Sequence, residues 1–330
     1  MFSRPWALIL LVLLVALVFW QRFSTEKSQL SRTALLMGTL VEIQANGDDR
    51  ELLETAVTDA IAEMSRLEQL FSTHIPQSEI NRLSDAGTLQ VSIETAELLT
   101  LGQQIARSSQ GAFDMCLGNL KRLWDIESQA PKTPSEKELR EALRGIGPES
   151  LQIEGRQVTK QTESLRIDLG GIAKGYAVDR AVEILRAAGV LSAAVNAGGD
   201  IRLLGYRQGQ PWRIGIQHPR QNGEVIATLM LQDRAVVTSG DYERYFEVEG
   251  TRYHHLFDPQ TGRPARGCQS VTVVAADAAS ADALATAAFV LGPQKGLALL
   301  EQMPEVEGFL IAADGSRLTT SGLEDFLEWH

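Results

Sequence analysis

A chain of 330 residues with 44% hydrophobic side chains, and no low-complexity linker after residue 33, reads as one large two-lobed globular domain with a sizeable core. Its formal net charge of -11 excludes a surface that binds nucleic acid electrostatically, so any phosphate site must be local. Two cysteines, Cys116 and Cys268, exclude a disulfide framework and a cysteine metal cluster; one bridge and two separate half-buried thiols remain open.

Trp6 to Trp20 is an unbroken apolar run in the position of a signal sequence, preceded by Arg4 and followed by Gln21 and Arg22. It is short for a membrane span, but the bracketing tryptophans suit an interface. No small-x-small cleavage pattern follows, and no cysteine precedes Cys116. Residues 1–23 are therefore expected to form an uncleaved signal anchor and 24–32 a polar tether, with the domain 33–330 exported. Positive residues on both sides of the run orient it weakly.

Leu35 to Gln44 reads as a first strand. From Glu51, the apolar residues Leu53, Val57, Ala60, Ile61, Met64, Leu67 and Phe71 recur three or four apart and predict a long helix with one buried face. A helical turn is expected at Glu79 to Leu83, then a helix from Glu94 to Ser108 stopped by Gly111. Turn residues at 128–135 and 145–149 bracket a further helix. Ser164 to Asp168 alternates like a strand, and Ile172 to Arg186 has helical spacing. Strands are expected at Ala193–Val195, Trp212–Gln217, Val225–Leu231, Ala235–Thr238, Glu243–Val248 and Ser270–Ala275. A helix from Ser280 to Gly292, a strand and a short helix close the chain. Helices at both ends with strands between them define an α+β class without the regular alternation of a doubly wound sheet.

The chemistry concentrates in Asp168-Leu-Gly-Gly-Ile-Ala-Lys-Gly-Tyr-Ala177, where two glycines fall between strand and helix. Free amides at a helix start favour anions, and glycine permits close approach. There is no G-x-G-x-x-G, and Gly175 stands where a P-loop has Ser or Thr, so a metal here needs ligands from elsewhere. Asp282 and Thr286 lie four apart on one helix face, where a carboxylate and a hydroxyl can share a hard cation. The segment alone favours Ser280 as a cap, Asp282 as a dipole complement and Thr286 bonded to its own backbone over a metal site. Asn196-Ala-Gly-Gly-Asp200 reads as a tight turn or a ligand loop. Of His254 and His255, strand alternation lets one reach a given site and leaves the other solvated. Asp258 and Thr261 read as turn residues. Asp168 reads equally as a helix cap or a ligand contact, and Asp114 as a carboxylate open to close approach. Lys174 either meets phosphate or extends to water.

Together Met37-Gly38-Thr39, Gly111-Ala-Phe-Asp114, Asp168 to Ala177, Asn196 to Asp200, Thr238-Ser-Gly240, His255-Leu-Phe-Asp-Pro-Gln-Thr-Gly-Arg-Pro264 and Ala281 to Thr286 resemble the ApbE family of FAD:protein FMN transferases, in order and spacing, from about Thr33 to the C-terminus. The resemblance implies a single domain with mixed or antiparallel sheets and flanking helices. It also implies transfer of FMN from FAD to a threonine or serine of an acceptor flavoprotein, with release of AMP and with Mg2+ on the FAD diphosphate. The implied metal ligands are the Gly171 carbonyl and the Asp282 and Thr286 side chains. The implied flavin-nucleotide contacts are Met37, His74, Ala112, Phe113, Asp114, Asp168, Lys174 and Phe257. His255 is the implied proton acceptor and Asp282 the second catalytic residue. His74 departs from the tyrosine frequent in the family. The family's lipoprotein cysteine is absent, so attachment to the inner membrane, with the catalytic domain on the periplasmic side, rests on the apolar run. An FAD pyrophosphatase and a non-catalytic flavin-binding protein are the alternatives.

Overall fold

The computed structural model of the protein describes residues 28–330. The expected anchor lies outside the described residues; among these, no helix is long and apolar enough to cross a membrane. Residues 24–27 of the expected tether also lie outside, and from Ser28 the chain is already strand.

The segment expected as one strand is a hairpin. β1 (Ser28–Leu36) and β2 (Thr39–Gly47) pair antiparallel from Ser28↔Gly47 to Leu36↔Thr39, joined by Met37 and Gly38. Both turn residues have positive φ, 54° and 70°, as a two-residue turn matched to strand twist requires. The nearly continuous apolar run Ala34 to Val41 spans so short a turn, which conceals it from period-two reading.

α1 (Arg50–Phe71) is capped by Asp49, whose side chain accepts from the amides of Glu51 and Leu52, and it buries Leu53, Val57, Ala60, Met64, Leu67 and Phe71 as the spacing predicts. The expected helical turn is a full helix, α2 (Glu79–Ala86). β3 (Thr88–Gln90), α3 (Ile93–Ser108), α4 (Gly118–Trp124) and α5 (Glu136–Ala142) follow. β4 (Leu151–Glu154) and β5 (Gln157–Lys160) form a small sheet with β3, its strands too short to show a period.

After α6 (Ala173–Ala187) come β6 (Ser192–Ala197), β7 (Asp200–Leu204), β8 (Trp212–Gln217), β9 (Val225–Leu231) and β10 (Ala235–Gly240). Two hairpins follow, β11 (Tyr245–Val248) with β12 (Thr251–His254) and β13 (Phe257–Asp258) with β14 (Arg263–Pro264). β15 (Cys268–Ala275), α7 (Ala278–Leu291), α8 (Pro293–Glu301), β16 (Glu307–Ala312), β17 (Arg317–Thr319) and β18 (Leu327–Trp329) complete the chain.

One eight-stranded sheet organises the molecule, in the order β1-β2-β6-β7-β10-β15-β16-β17 with every pairing antiparallel. The α+β class is as expected. Alternation divides each central strand between two cores. Val271, Val273 and Ala275 of β15 join the main core beneath α6 and α7, while Val274 joins Trp212, Leu229 and Phe309 beneath the β8-β9-β18 sheet. A third cluster gathers Leu120, Trp124, Leu139 and Phe257. Both cysteines are buried and unbridged.

Candidate active site

A cleft with two connected chambers opens where the helix starts and hairpin turns meet. The outer chamber has a volume of about 580 Å³, within the range of small-molecule sites, and the inner one about 230 Å³. Met37 and His74 line the outer chamber; Ala112, Phe113, Asp114, Gly171, Asp282 and Thr286 line the inner one; Asp168, Lys174, His255 and Phe257 line both. All twelve residues singled out from the sequence thus reach one cleft.

The glycine segment differs locally from expectation. Residues 164–168 form no strand, although the Asp168 amide donates to the Met115 carbonyl at 2.7 Å. Alternating side chains suit extended chain whether or not a ladder forms beside it. Nor does Asp168 cap α6. Its carboxylate accepts from the Gly170 amide at 2.8 Å and pairs with Lys121, a cation that no sequence pattern marked. Burial opposes the charge on Asp168, but Lys121 and the Gly170 amide together outweigh it and hold the carboxyl below its ordinary value.

The start of α7 separates capping from site chemistry. Asp277 accepts from the Ser280 amide at 2.7 Å, and Asp179 of α6 accepts from the amides of Ala278 and Ala279. With those amides occupied, Asp282 and Thr286 serve neither as cap nor as complement and face the inner chamber. Asp282, only 4% exposed, accepts from the Gly175 amide at 3.4 Å, and Thr286 Oγ1 lies 3.4 Å from Ser239 Oγ. The bare Cα of Gly171 abuts the same hydroxyl, since a Cβ there would stand 3.2 Å from it.

Asn196 to Asp200 is a hairpin turn as well as part of the site. Gly198 and Gly199 take positive φ between β6 and β7, with the Asn196 side chain accepting from the Gly199 amide. The turn delivers Asp200, 1% exposed, to within 2.5 Å of Lys174 Nζ. Lys174 therefore pairs with acid instead of extending to water. Burial opposes its charge, yet the carboxylates of Asp200 and Asp282 together raise its pKa. Burial, then repulsion from Asp200, pushes Asp282 up. Asp114 is pushed up to about 6 by burial; its Oδ1 accepts from the Cys116 amide, and Oδ2 has no partner among the described residues.

The histidine pair reverses the expectation for one member. His254 is buried, edge-on to Phe289, with Nε2 against the Ala265 carbonyl at 2.7 Å and Nδ1 accepting from the Leu256 amide. His255 reaches the cleft. Burial, with Lys121 and Arg244 nearby, pushes it down to about 3, so its ring is neutral at physiological pH. Phe257 is held by stacking on Trp124, whose Nε1 donates to the Gly262 carbonyl at 2.7 Å. Asp258 and Thr261 stabilise the adjoining turn, as expected.

The side-chain donors of Asp282 and Thr286 in the inner chamber are hard oxygens, a carboxylate and a hydroxyl, and Gly171 lines the same chamber. Two buried carboxylates, Asp200 and Asp282, face the one ammonium of Lys174. That set fits a small divalent cation such as Mg2+. Among the described residues no group of three or more His, Cys, Asp or Glu side chains is placed to hold a metal ion, so a cation here would depend on hydroxyl or carbonyl oxygens as well.

An antiparallel α+β scaffold whose hairpin turns and helix starts converge on a two-chambered polar cleft defines the class of protein. The chain belongs to the ApbE family, whose model matches residues 37–310. It is 33% identical over 317 residues to the FAD:protein FMN transferase of Treponema pallidum, covering 89% of this chain and 88% of that relative. To the enzyme of the same name from Vibrio cholerae it is 34% identical over 305 residues, covering 88% and 90%. The crystal structure of the ApbE protein from Thermotoga maritima superposes with a TM-score of 0.84 at 34% identity, covering 91% of this chain and 99% of that one.

Proposed function

We propose that the protein is an FAD:protein FMN transferase. It cleaves the diphosphate of FAD, joins FMN through a phosphoester to a threonine or serine of an acceptor flavoprotein, and releases AMP. The observation that carries this reading is the convergence of Lys174, Asp200, Asp282, Thr286 and His255 on one inner chamber, in a chain whose curated relatives bear that name.

Magnesium, when bound to Asp282, Thr286 and the Gly171 carbonyl, would supply positive charge to the diphosphate oxygens. Lys174, fixed by Asp200, adds a positioned cation. His255, neutral before substrate arrives, is the group to accept the acceptor's hydroxyl proton. Met37, whose amide donates to Glu68 at 2.7 Å, and Phe257, stacked on Trp124, offer fixed apolar surface for the flavin nucleotide in a chamber that His74 also lines. The N-terminal apolar run supports anchoring to the inner membrane and export of the domain.

The test incubates the full chain with FAD, magnesium and a flavoprotein prepared without its threonine-linked FMN. Mass spectrometry should show the acceptor heavier by one FMN, with stoichiometric AMP. FMN and AMP without modified acceptor would mean hydrolysis, and unchanged bound FAD a carrier; either defeats the proposal.

A further inference from the structure

Three cations line both chambers: Lys121, Lys174 and Arg244. The first two are engaged by carboxylates, Lys121 with Asp168 and Lys174 with Asp200. Arg244 differs. Its nearest acid is Glu127, whose Oε2 lies 3.7 Å away, beyond hydrogen-bond distance, and its side chain is 42% exposed. Its backbone is fixed all the same. The Arg244 carbonyl accepts from the His255 amide at 3.2 Å and lies 3.4 Å from His255 Nδ1. That contact favours the proton on Nδ1, which leaves Nε2 as the acceptor.

We propose that Arg244 is a further catalytic residue of the FMN transfer: at the junction of the two chambers its guanidinium meets the charge that develops on the FAD diphosphate as the bridge breaks, and its carbonyl presents His255 Nε2 to the incoming hydroxyl. The inference rests on the transferase reading given above. In the step, the acceptor oxygen attacks the phosphorus on the FMN side. A new O–P bond forms, the bridging P–O bond breaks with its electron pair leaving on AMP, and the hydroxyl proton passes to His255. A planar fork can bridge oxygens on both phosphates, which an ammonium cannot. Because neither Lys121 nor Lys174 is free of its carboxylate, Arg244 is the cation available to follow charge as it moves toward AMP.

The experiment compares wild type, Arg244→Ala and Arg244→Lys in the full chain, with FAD, magnesium and the same FMN-free flavoprotein, reading acceptor modification, AMP release and FAD affinity separately. Arg244→Ala should lose roughly 100-fold in kcat while FAD affinity changes by less than about 5-fold. Added guanidinium should restore at least about 10-fold of the Ala variant's rate, and Lys should recover less. A kcat within about 3-fold of wild type, or a loss confined to FAD affinity, overturns the proposal. If wild type releases AMP without modifying the acceptor, the transferase reading falls, and Arg244 is judged on AMP release by the same thresholds.

Discussion

Gly175 of α6 lies so close to Ala278 of α7 that a Cβ on residue 175 would stand 2.2 Å from the Ala278 carbonyl oxygen. The crossing of these helices brings the Gly175 amide against Asp282 and sets Lys174 beside the same carboxylate. Gly175→Ala should therefore push the helices apart. We expect a loss of about 1–3 kcal/mol in denaturant-induced unfolding, together with weakened FAD turnover. An unchanged midpoint would show that the crossing can relax without cost.

Lys174→Met leaves Asp200 buried without its partner. Losing one member of such a pair costs about 3–5 kcal/mol, so the variant should unfold at markedly lower urea. Adding Asp200→Asn should recover most of that stability and none of the turnover. A double-mutant cycle on urea midpoints and initial rates checks both parts. If the double variant regained activity, Lys174 would be a structural partner only.

Asp282→Asn should cut turnover by at least about 100-fold at saturating magnesium. The amide side chain can still accept from Gly175, so the melting temperature in magnesium-free buffer should not fall. Magnesium should raise the wild-type melting temperature and leave the variant's unchanged, because only a ligand of the folded state shifts the midpoint. Equal activity or an equal magnesium shift in the variant would remove Asp282 from the metal site.

His254 gives a pH prediction of definite sign. Burial lowers its folded pKa below the ordinary value, so in acid the unfolded chain takes up a proton that the fold refuses. Its contribution to stability is complete above about pH 6.5 and is lost progressively as pH falls below that. Asp114, and Asp179, pushed up to about 7 by burial, act in the opposite direction over the same range. The histidine effect must therefore be read by difference. Between pH 7.5 and 5, wild type should lose its stability advantage over His254→Gln, measured by urea midpoints. A constant difference would contradict the buried neutral imidazole.

How much of this was legible beforehand depends on where the information sits. Helical faces such as Leu53 to Phe71 were readable because burial imprints a period on them. Asp282 and Thr286 were readable as a pair because four residues make one turn. Choosing between cap and ligand required Asp179, 99 residues upstream of Ala278, since it is Asp179 that relieves the start of α7 of its need for a cap. Lys121 and Arg244 carry no local pattern at all. Lys121 matters through the Asp168 carboxylate and Arg244 through His255, which its own carbonyl engages, and both partners lie in other segments. The short strands of the β3-β5-β4 sheet and the hairpin hidden in Leu35 to Gln44 were missed because three or four residues, or an apolar run carried across a two-residue turn, leave periodicity nothing to register.

The β8-β9-β18 sheet covers one face of the central sheet with its own hydrophobic cluster, yet none of its strands supplies a residue to either chamber. The cleft and this shoulder are thus separately editable. Residues 221–223 in the β8–β9 connection, exposed and ending in the positive-φ Gly223, form a graft point where an inserted tag or domain would travel with the enzyme without entering its chemistry.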